Sequence, residues 1–242
     1  MITERVISNE LHVEGPTPAR YWGDQWLRVA EKILKGLNNA LGDRAASLEA
    51  TAGLLDPGQP VEPDVVETVR GEAVLLRQLV ELYHSLTAET VTMPEPTRFQ
   101  DVLPLVVRLH EHHGDLRSVQ CHVRGVPDTS PVLVRQAAFT RCILVLLASA
   151  AGNTLRSGAP RLVTLEYGDE GEEVVIRLFG AAPKDQLLFS GEGSLLHAVR
   201  AALAHAGASV EGSIRRGPDF GLLTYEVRLP AIPEERRGHQ PL

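Results

Sequence analysis

Between residues 19 and 55, apolar side chains recur at Trp22, Trp26, Val29, Ile33, Leu37, Leu41, Ala45, Leu48 and Ala52, a three-four spacing that lays one stripe along a helix of roughly 50 Å. Pro18 suits the first turn of that helix, where its missing N–H costs nothing. The turn-rich stretch Asp56-Pro57-Gly58-Gln59-Pro60-Val61-Glu62-Pro63-Asp64 breaks the pattern, which resumes at Val66, Val69, Ala73, Leu76, Val80 and Tyr83 and ends near Ala88. A helical hairpin is the expected result. A second apolar set, Leu75, Leu79, Leu82 and Leu86, widens its buried face beyond what one partner helix covers. Two hairpins are therefore expected to pair as the four-helix bundle of a homodimer, with Leu37, Leu41, Leu48, Val69 and Leu76 at the interface.

After Met93-Pro94-Glu95-Pro96 the pattern becomes mixed. A helix is predicted from Phe99 to His113, a strand over Val119 to Val123 and a long helix from Val134 to Leu155. Two strands follow, Arg161 to Tyr167 and Glu173 to Phe179, joined by a turn at Gly168-Asp169-Glu170-Gly171. A helix from Ser194 to Ala206 and strands over Ser209 to Arg215 and Leu222 to Leu229 complete the pattern. The fold class is α+β: a terminal segment (1–18), a hairpin (19–92), an α/β sandwich (97–232) and a flexible tail (233–242) holding Glu234-Glu235-Arg236-Arg237.

The 43% apolar content supports a real core, and a formal charge of -7 without a Lys/Arg run argues against a nucleic-acid surface. Protein partners are the better expectation. The amino terminus lacks signal-peptide character, and the longest mostly apolar run, Cys142 to Ala151, is about half a membrane span, so no membrane and a cytoplasmic location are expected. Cys121 and Cys142 sit in apolar segments without metal-ligand spacing and read as buried thiols.

Several segments carry a resemblance. Leu37-Asn38-Asn39-Ala40-Leu41 looks like the tail of a His-Glu-x-Asn-Asn-Pro-Leu motif, and Phe139 to Ala150 like a long Asn-bearing helix. Gly191-Glu192-Gly193 looks like a glycine-rich phosphate loop, and His205-Ala206-Gly207-Ala208-Ser209-Val210 like a His-Gly-Gly-x-Ile approach to the last strands. In this order, over roughly residues 20 to 231, the chain resembles the core of a two-component sensor histidine kinase: a dimerising hairpin followed by an ATP-binding domain of the Hsp90, gyrase and histidine-kinase superfamily.

The resemblance implies chemistry at positions where this sequence departs from it. Lys35 stands where the family has its phosphoaccepting histidine, about 200° around the helix from Ile33 and so away from the buried stripe. A protonated lysine has no lone pair to attack a phosphate, and Gly36 replaces the acid expected next. Val145 and Ser149 occupy the asparagine positions of the long helix, with Asn153 a conceivable substitute. Gly180 and Ala182 replace the aspartate and glycine that follow the strand, and Asp185 lies beyond Pro183. Only about seven residues separate Pro183 from Gly191, a short lid. Leu195 fills the third small position after Gly191 and Gly193, so that stretch reads better as a turn before an N-cap at Ser194.

Other clusters read as structural. His110, His112 and His113 are expected at a solvated helix end rather than on a metal, Trp22 and Trp26 as core or dimer anchors, and Arg215-Arg216 as a turn flank. With about 18 residues before the hairpin no sensor domain is expected, and input is expected from partners, expression level or a ligand at the degenerate cleft. These readings lead to the expectation of a catalytically inactive, histidine-kinase-like regulator, not an enzyme and without cofactor or metal, that dimerises and binds a response-regulator receiver domain through Lys35, Asn38, Asn39 and Gly42. Its degenerate nucleotide cleft comprises Val145, Ser149, Asn153, Gly180, Ala182, Gly191 and Gly193. The alternatives are a phosphorelay histidine phosphotransferase using a non-standard histidine, His84, and a nucleotide-binding sensor without turnover.

Overall fold

The computed structural model describes residues 18–55, 58, 60–87, 93–126, 128–184 and 190–233. The lid residue Asp185, most of the short lid and the acidic-basic tail lie outside them. Helix α1 (Pro18–Ala52) and helix α2 (Pro63–Thr87) form the antiparallel hairpin that the apolar spacing predicts. There follow β1 (Glu95–Thr97), α3 (Phe99–Glu111), β2 (Gln120–Gly125), β3 (Val132–Val134), α4 (Gln136–Ser157), β4 (Leu162–Glu170) and β5 (Glu173–Ala182). Helix α5 (Ser190–Leu203), a short 3-10 turn, β6 (Ser209–Arg215) and β7 (Gly221–Pro230) complete the chain.

Five strands form one mixed sheet in the order β2-β4-β5-β7-β6. Strand β2 runs parallel to β4, and the remaining neighbours are antiparallel. Strands β1 and β3 make a separate two-stranded ribbon that the sequence pattern does not announce, because Pro94 and Pro96 flank and occupy it. The β4–β5 turn falls at Gly171-Glu172 rather than at Gly168–Gly171, with Glu170 paired to Glu173 and Gly171 at φ 68°. Only glycine adopts that left-handed conformation without strain, which fixes the turn there.

Strand β7 alternates strictly, with Leu223, Tyr225, Val227 and Leu229 buried and Thr224, Glu226 and Arg228 turned outward. On that outer face Arg177 spans Glu226 and Glu170, donating from Nε at 2.6 Å and from Nη1 at 2.6 Å. The inner face carries α4, flanked by α3 and α5. Helix α4 is also the one described helix long and apolar enough to cross a membrane, but 67% of its apolar stretch is buried as the core helix of this fold.

Helix α1 packs against α2 and also lies across α4 and α5. Val29, Ile33 and Leu37 consequently join one uninterrupted apolar core that reaches the sheet. Trp26 stacks under the Arg141 guanidinium, 4.9 Å from the ring centroid, so it anchors α1 to α4 within one chain.

Candidate functional site

Lys35, Asn38, Asn39 and Gly42 are all exposed, and their i, i+3, i+4, i+7 spacing puts them on one face of α1. Lys35 and Asn39 line a surface groove of about 410 Å³ whose opposite wall is the end of α3, including Glu111, His112 and Asp115. Gly36 explains how that wall comes so close. A Cβ at residue 36 would overlap the backbone carbonyl of His112, so glycine is needed for the contact between helix and loop. The Gly114 N–H donates to the Lys32 carbonyl at 3.3 Å, and Lys32 Nζ pairs with Asp115 at 2.9 Å. That hydrogen bond raises the Lys32 pKa and lowers that of Asp115.

The proposed interface residues divide. Leu37 is fully buried inside the single chain and has no surface left for a second one; Leu41, Leu48 and Leu76 are half-buried and Val69 is exposed.

The cleft residues come together on α4 and β5. Val145 is buried, and the Ser149 hydroxyl shares a 2.8 Å hydrogen bond with the Tyr225 hydroxyl. Asn153 donates from Nδ2 to the Ser149 carbonyl at 3.0 Å and accepts at Oδ1 from Arg156 at 2.8 Å. Beside them, Ala181 N–H donates to Thr154 Oγ1 at 2.9 Å. A Cβ at residue 180 would stand 2.9 Å from Thr154 Oγ1 and 3.3 Å from the Ala150 carbonyl oxygen, so Gly180 is the residue that lets β5 meet α4. Ala182 is fully buried.

Gly191 and Gly193 lie within α5, which starts at Ser190; the expected turn with an N-cap at Ser194 is corrected accordingly. These side chains do not fit a magnesium nucleotide held on α4. A divalent ion needs an octahedron of oxygens, and here an apolar Val145 and two already engaged polar groups stand in their place.

The histidines need a second correction. His110 and His113 are 3% and 6% exposed, not solvated: His110 continues the buried stripe of Val102 and Val106 on α3, and His113 is buried just beyond the helix end. His110 Nε2 bonds the Val119 carbonyl at 3.0 Å, whereas His113 Nδ1 is buried without a hydrogen-bond partner among the described residues. Burial lowers both pKa values, that of His113 to about 4. Burial also lowers His112, which is half-buried in the groove wall. Among the described residues no group of three or more acids, histidines or cysteines is placed to hold a metal. His84 is exposed near the end of α2, edge-on to the Tyr83 ring. Burial pushes the Cys121 thiol up to about 11 and raises Cys142 further, leaving both unreactive.

Val145 and Ser149 of the expected cleft line a cavity of about 530 Å³ between α1 and α4, and it is the α1 wall of this cavity that sequence reasoning missed. It brings Arg28 and Lys32 of α1 opposite Arg156 of α4. The i, i+4 spacing of Arg28 and Lys32 was the available signal.

A helical hairpin leads into a mixed five-stranded sheet backed by α3, α4 and α5, the α+β arrangement that the sequence resemblance implies. No family model and no curated protein matches the sequence. Among solved structures the chain is similar to the Acinetobacter baumannii histidine kinase AdeS, at 15% identity and TM-score 0.39 over 83% of this chain and 98% of that one. It is similar to the nucleotide-free catalytic domain of histidine kinase ThkA, at 13% identity and TM-score 0.47 over 59% of this chain and 100% of that one. A bacterial phosphotransferase is similar at 10% identity and TM-score 0.41, over 84% of this chain and 95% of that one. At these identities and TM-scores the matches assign no role to this chain. The expectation of a non-enzyme is corrected here: the similar structures are titled as kinases and a phosphotransferase, and the misfit to a magnesium nucleotide concerns one ligand, not activity as such.

Proposed function

We propose that the chain is a cytoplasmic, dimeric, histidine-kinase-like signalling protein that binds the receiver domain of a response regulator through the exposed face of α1. The observation that supports this reading is the grouping of Lys35, Asn38, Asn39 and Gly42 on one open helix face beside a groove, with Lys35 available to an acidic receiver pocket. Dimerisation uses the outer face of α2, where Val66, Val69, Val80 and Tyr83 stand exposed. Binding of purified receiver domains tests the docking face: Lys35→Glu with Asn38→Ala should weaken a bound receiver at least tenfold. An unchanged affinity removes the proposal. Light scattering of Val69→Glu with Val80→Glu should report a monomer.

One observation favours a second reading, phosphotransfer, and moves its histidine. His112 lies in the same groove as Lys35, while His84 does not line it. Its lowered pKa leaves a lone pair at neutral pH, so an aspartyl phosphate could pass its phosphoryl group to the imidazole nitrogen and leave as the carboxylate. Acid-labile phosphate that appears on the chain, survives His84→Ala and vanishes in His112→Ala supports this reading. Its failure to appear with a phosphorylated receiver excludes it.

A further inference from the structure

The five-stranded sheet has two edges, β2 and β6. Each shows a row of backbone N–H and C=O groups that its single neighbour strand cannot use. Strand β6 pairs all seven of its residues one to one with β7, from Ser209 opposite Arg228 to Arg215 opposite Leu222, with no proline and no bulge. The devices that blunt an exposed edge are therefore missing from it. Within the chain it packs against β7 and α5. At its start Arg200 of α5 donates from Nη2 to the Val210 carbonyl at 2.6 Å, which occupies a backbone acceptor there and leaves Glu211 to Arg215 as the open stretch.

Glu211, Ser213 and Arg215 share the outer face of the sheet, and all three are exposed. Glu211 lies opposite Glu226, whose carboxylate is held by Arg177 and Arg228, so it faces a like charge across the ladder. Arg215 lies opposite Leu222, which offers no charge. Among the described residues neither Glu211 nor Arg215 has an ion pair. Two unlike, unmatched charges thus stand on one face, two residues to either side of Ser213. An antiparallel copy of β6 centred on Ser213 sets each Glu211 opposite the partner's Arg215. Strand β2 fails the same construction, because its fixed charge, Arg124, already lies 3.8 Å from Glu166 and has no acid on its own strand to answer it.

We propose that β6 pairs antiparallel with β6 of a second copy about a twofold axis at Ser213, joining the two sheets into one continuous sheet. The two charge pairs select this register. Moving the centre to Glu211 sets two carboxylates against each other, moving it to Arg215 sets two guanidinium groups against each other, and centres at Gly212 or Ile214 leave both charges unmatched. A contact of one strand with ion pairs on its outer side is weak by itself. It shares no residue with the outer face of α2, so where α2 holds a dimer, β6 joins one dimer to the next.

Oxidation of the full chain carrying Ser213→Cys with diamide tests the proposal, because directly opposed residues of an antiparallel pair lie within disulfide reach. Disulfide-linked dimer is expected to form about tenfold faster than in Glu211→Cys or Arg215→Cys alone, whereas a mixture of those two should crosslink to each other in preference to themselves. The unsubstituted chain, with Cys121 and Cys142 held unreactive by burial, should not crosslink. Adding Glu211→Arg to Ser213→Cys should slow the reaction about fivefold, and adding Arg215→Glu as well should restore it. The same rates are expected in the background of Val69→Glu with Val80→Glu: light scattering of the dilute chain reads α2 and the disulfide traps β6, so failure of the α2 reading leaves this one standing. Equal rates at the three cysteine positions, a charge reversal without effect, a swap that does not restore the rate, or a crosslink lost with the α2 face overturns the proposal.

Discussion

Helices α4 and α2 are similar in length, 22 and 25 residues, yet only one of them finds its surroundings within the chain. Twelve residues of α4 are buried, with the sheet below it, α3 and α5 beside it and α1 across it. Of α2 only Glu72, Leu79, Leu82 and Leu86 are buried, while Val66, Val69, Val74, Leu75, Val80 and Tyr83 remain between 37% and 44% exposed. A helix apolar on most sides needs neighbours on most sides. Helix α4 has them, and α2 leaves an apolar face open, the one proposed above to meet a second copy. Helix α1 belongs to both environments, which makes its seams the place to test the contrast.

The strongest test is Gly36→Leu. A side chain at that position meets the rigid carbonyl of His112 rather than a flexible group, so α1 must lift from the end of α3. A loss of about 3 kcal/mol is expected in urea unfolding. A change below about 0.5 kcal/mol would mean that α1 is not energetically part of the closed side.

Acid gives a smaller effect on the same seam. His113 has a folded pKa of about 4 against 6.5 in the unfolded chain, so between those values the unfolded state binds the proton first. Stability is therefore fully present above pH 6.5 and falls towards pH 4, by about 2 kcal/mol once the imidazole's contact with the cavity is discounted. His113→Leu should flatten that slope. Hydrogen exchange should show α1 and α3 amides responding before those of α2; the opposite order would contradict the assignment.

The smallest effect is a gain. Gly42 sits inside α1, and a Cβ added there would meet nothing within 4 Å, so Gly42→Ala should stabilise the chain by about 0.5–1 kcal/mol. Thermal unfolding together with light scattering checks it, and a loss of stability with a change in mass would place Gly42 in a contact between copies.

Periodicity made α1, α2 and most strands legible to within a few residues, because their apolar positions repeat at the helical or strand period. It could not say which neighbour a stripe meets. Leu37 reads as a dimer contact from spacing alone, whereas within the single chain it is fully buried in the common core. His110 was readable in principle, since it extends the row Phe99, Val102 and Val106 by a further helical turn, but histidine's polarity suggested water; His113 lies beyond the helix end, where the helical period no longer applies. Gly36, taken as a lost acid, is a close-approach residue whose partner lies far along the chain. Such contacts between distant segments leave no local trace in the sequence.

The parallel pairing of β2 with β4 also sets an order of assembly. Strands β4, β5, β6 and β7 are joined by antiparallel pairings, the β4–β5 and β6–β7 pairs through short turns, whereas β2 reaches β4 only after β3 and α4 have been threaded between them. Closing that long loop is slow relative to forming hairpins, so β2 is expected to dock late. Until it does, the backbone edge of β4 stands open, and a newly made chain is most vulnerable to mispairing along Leu162–Tyr167.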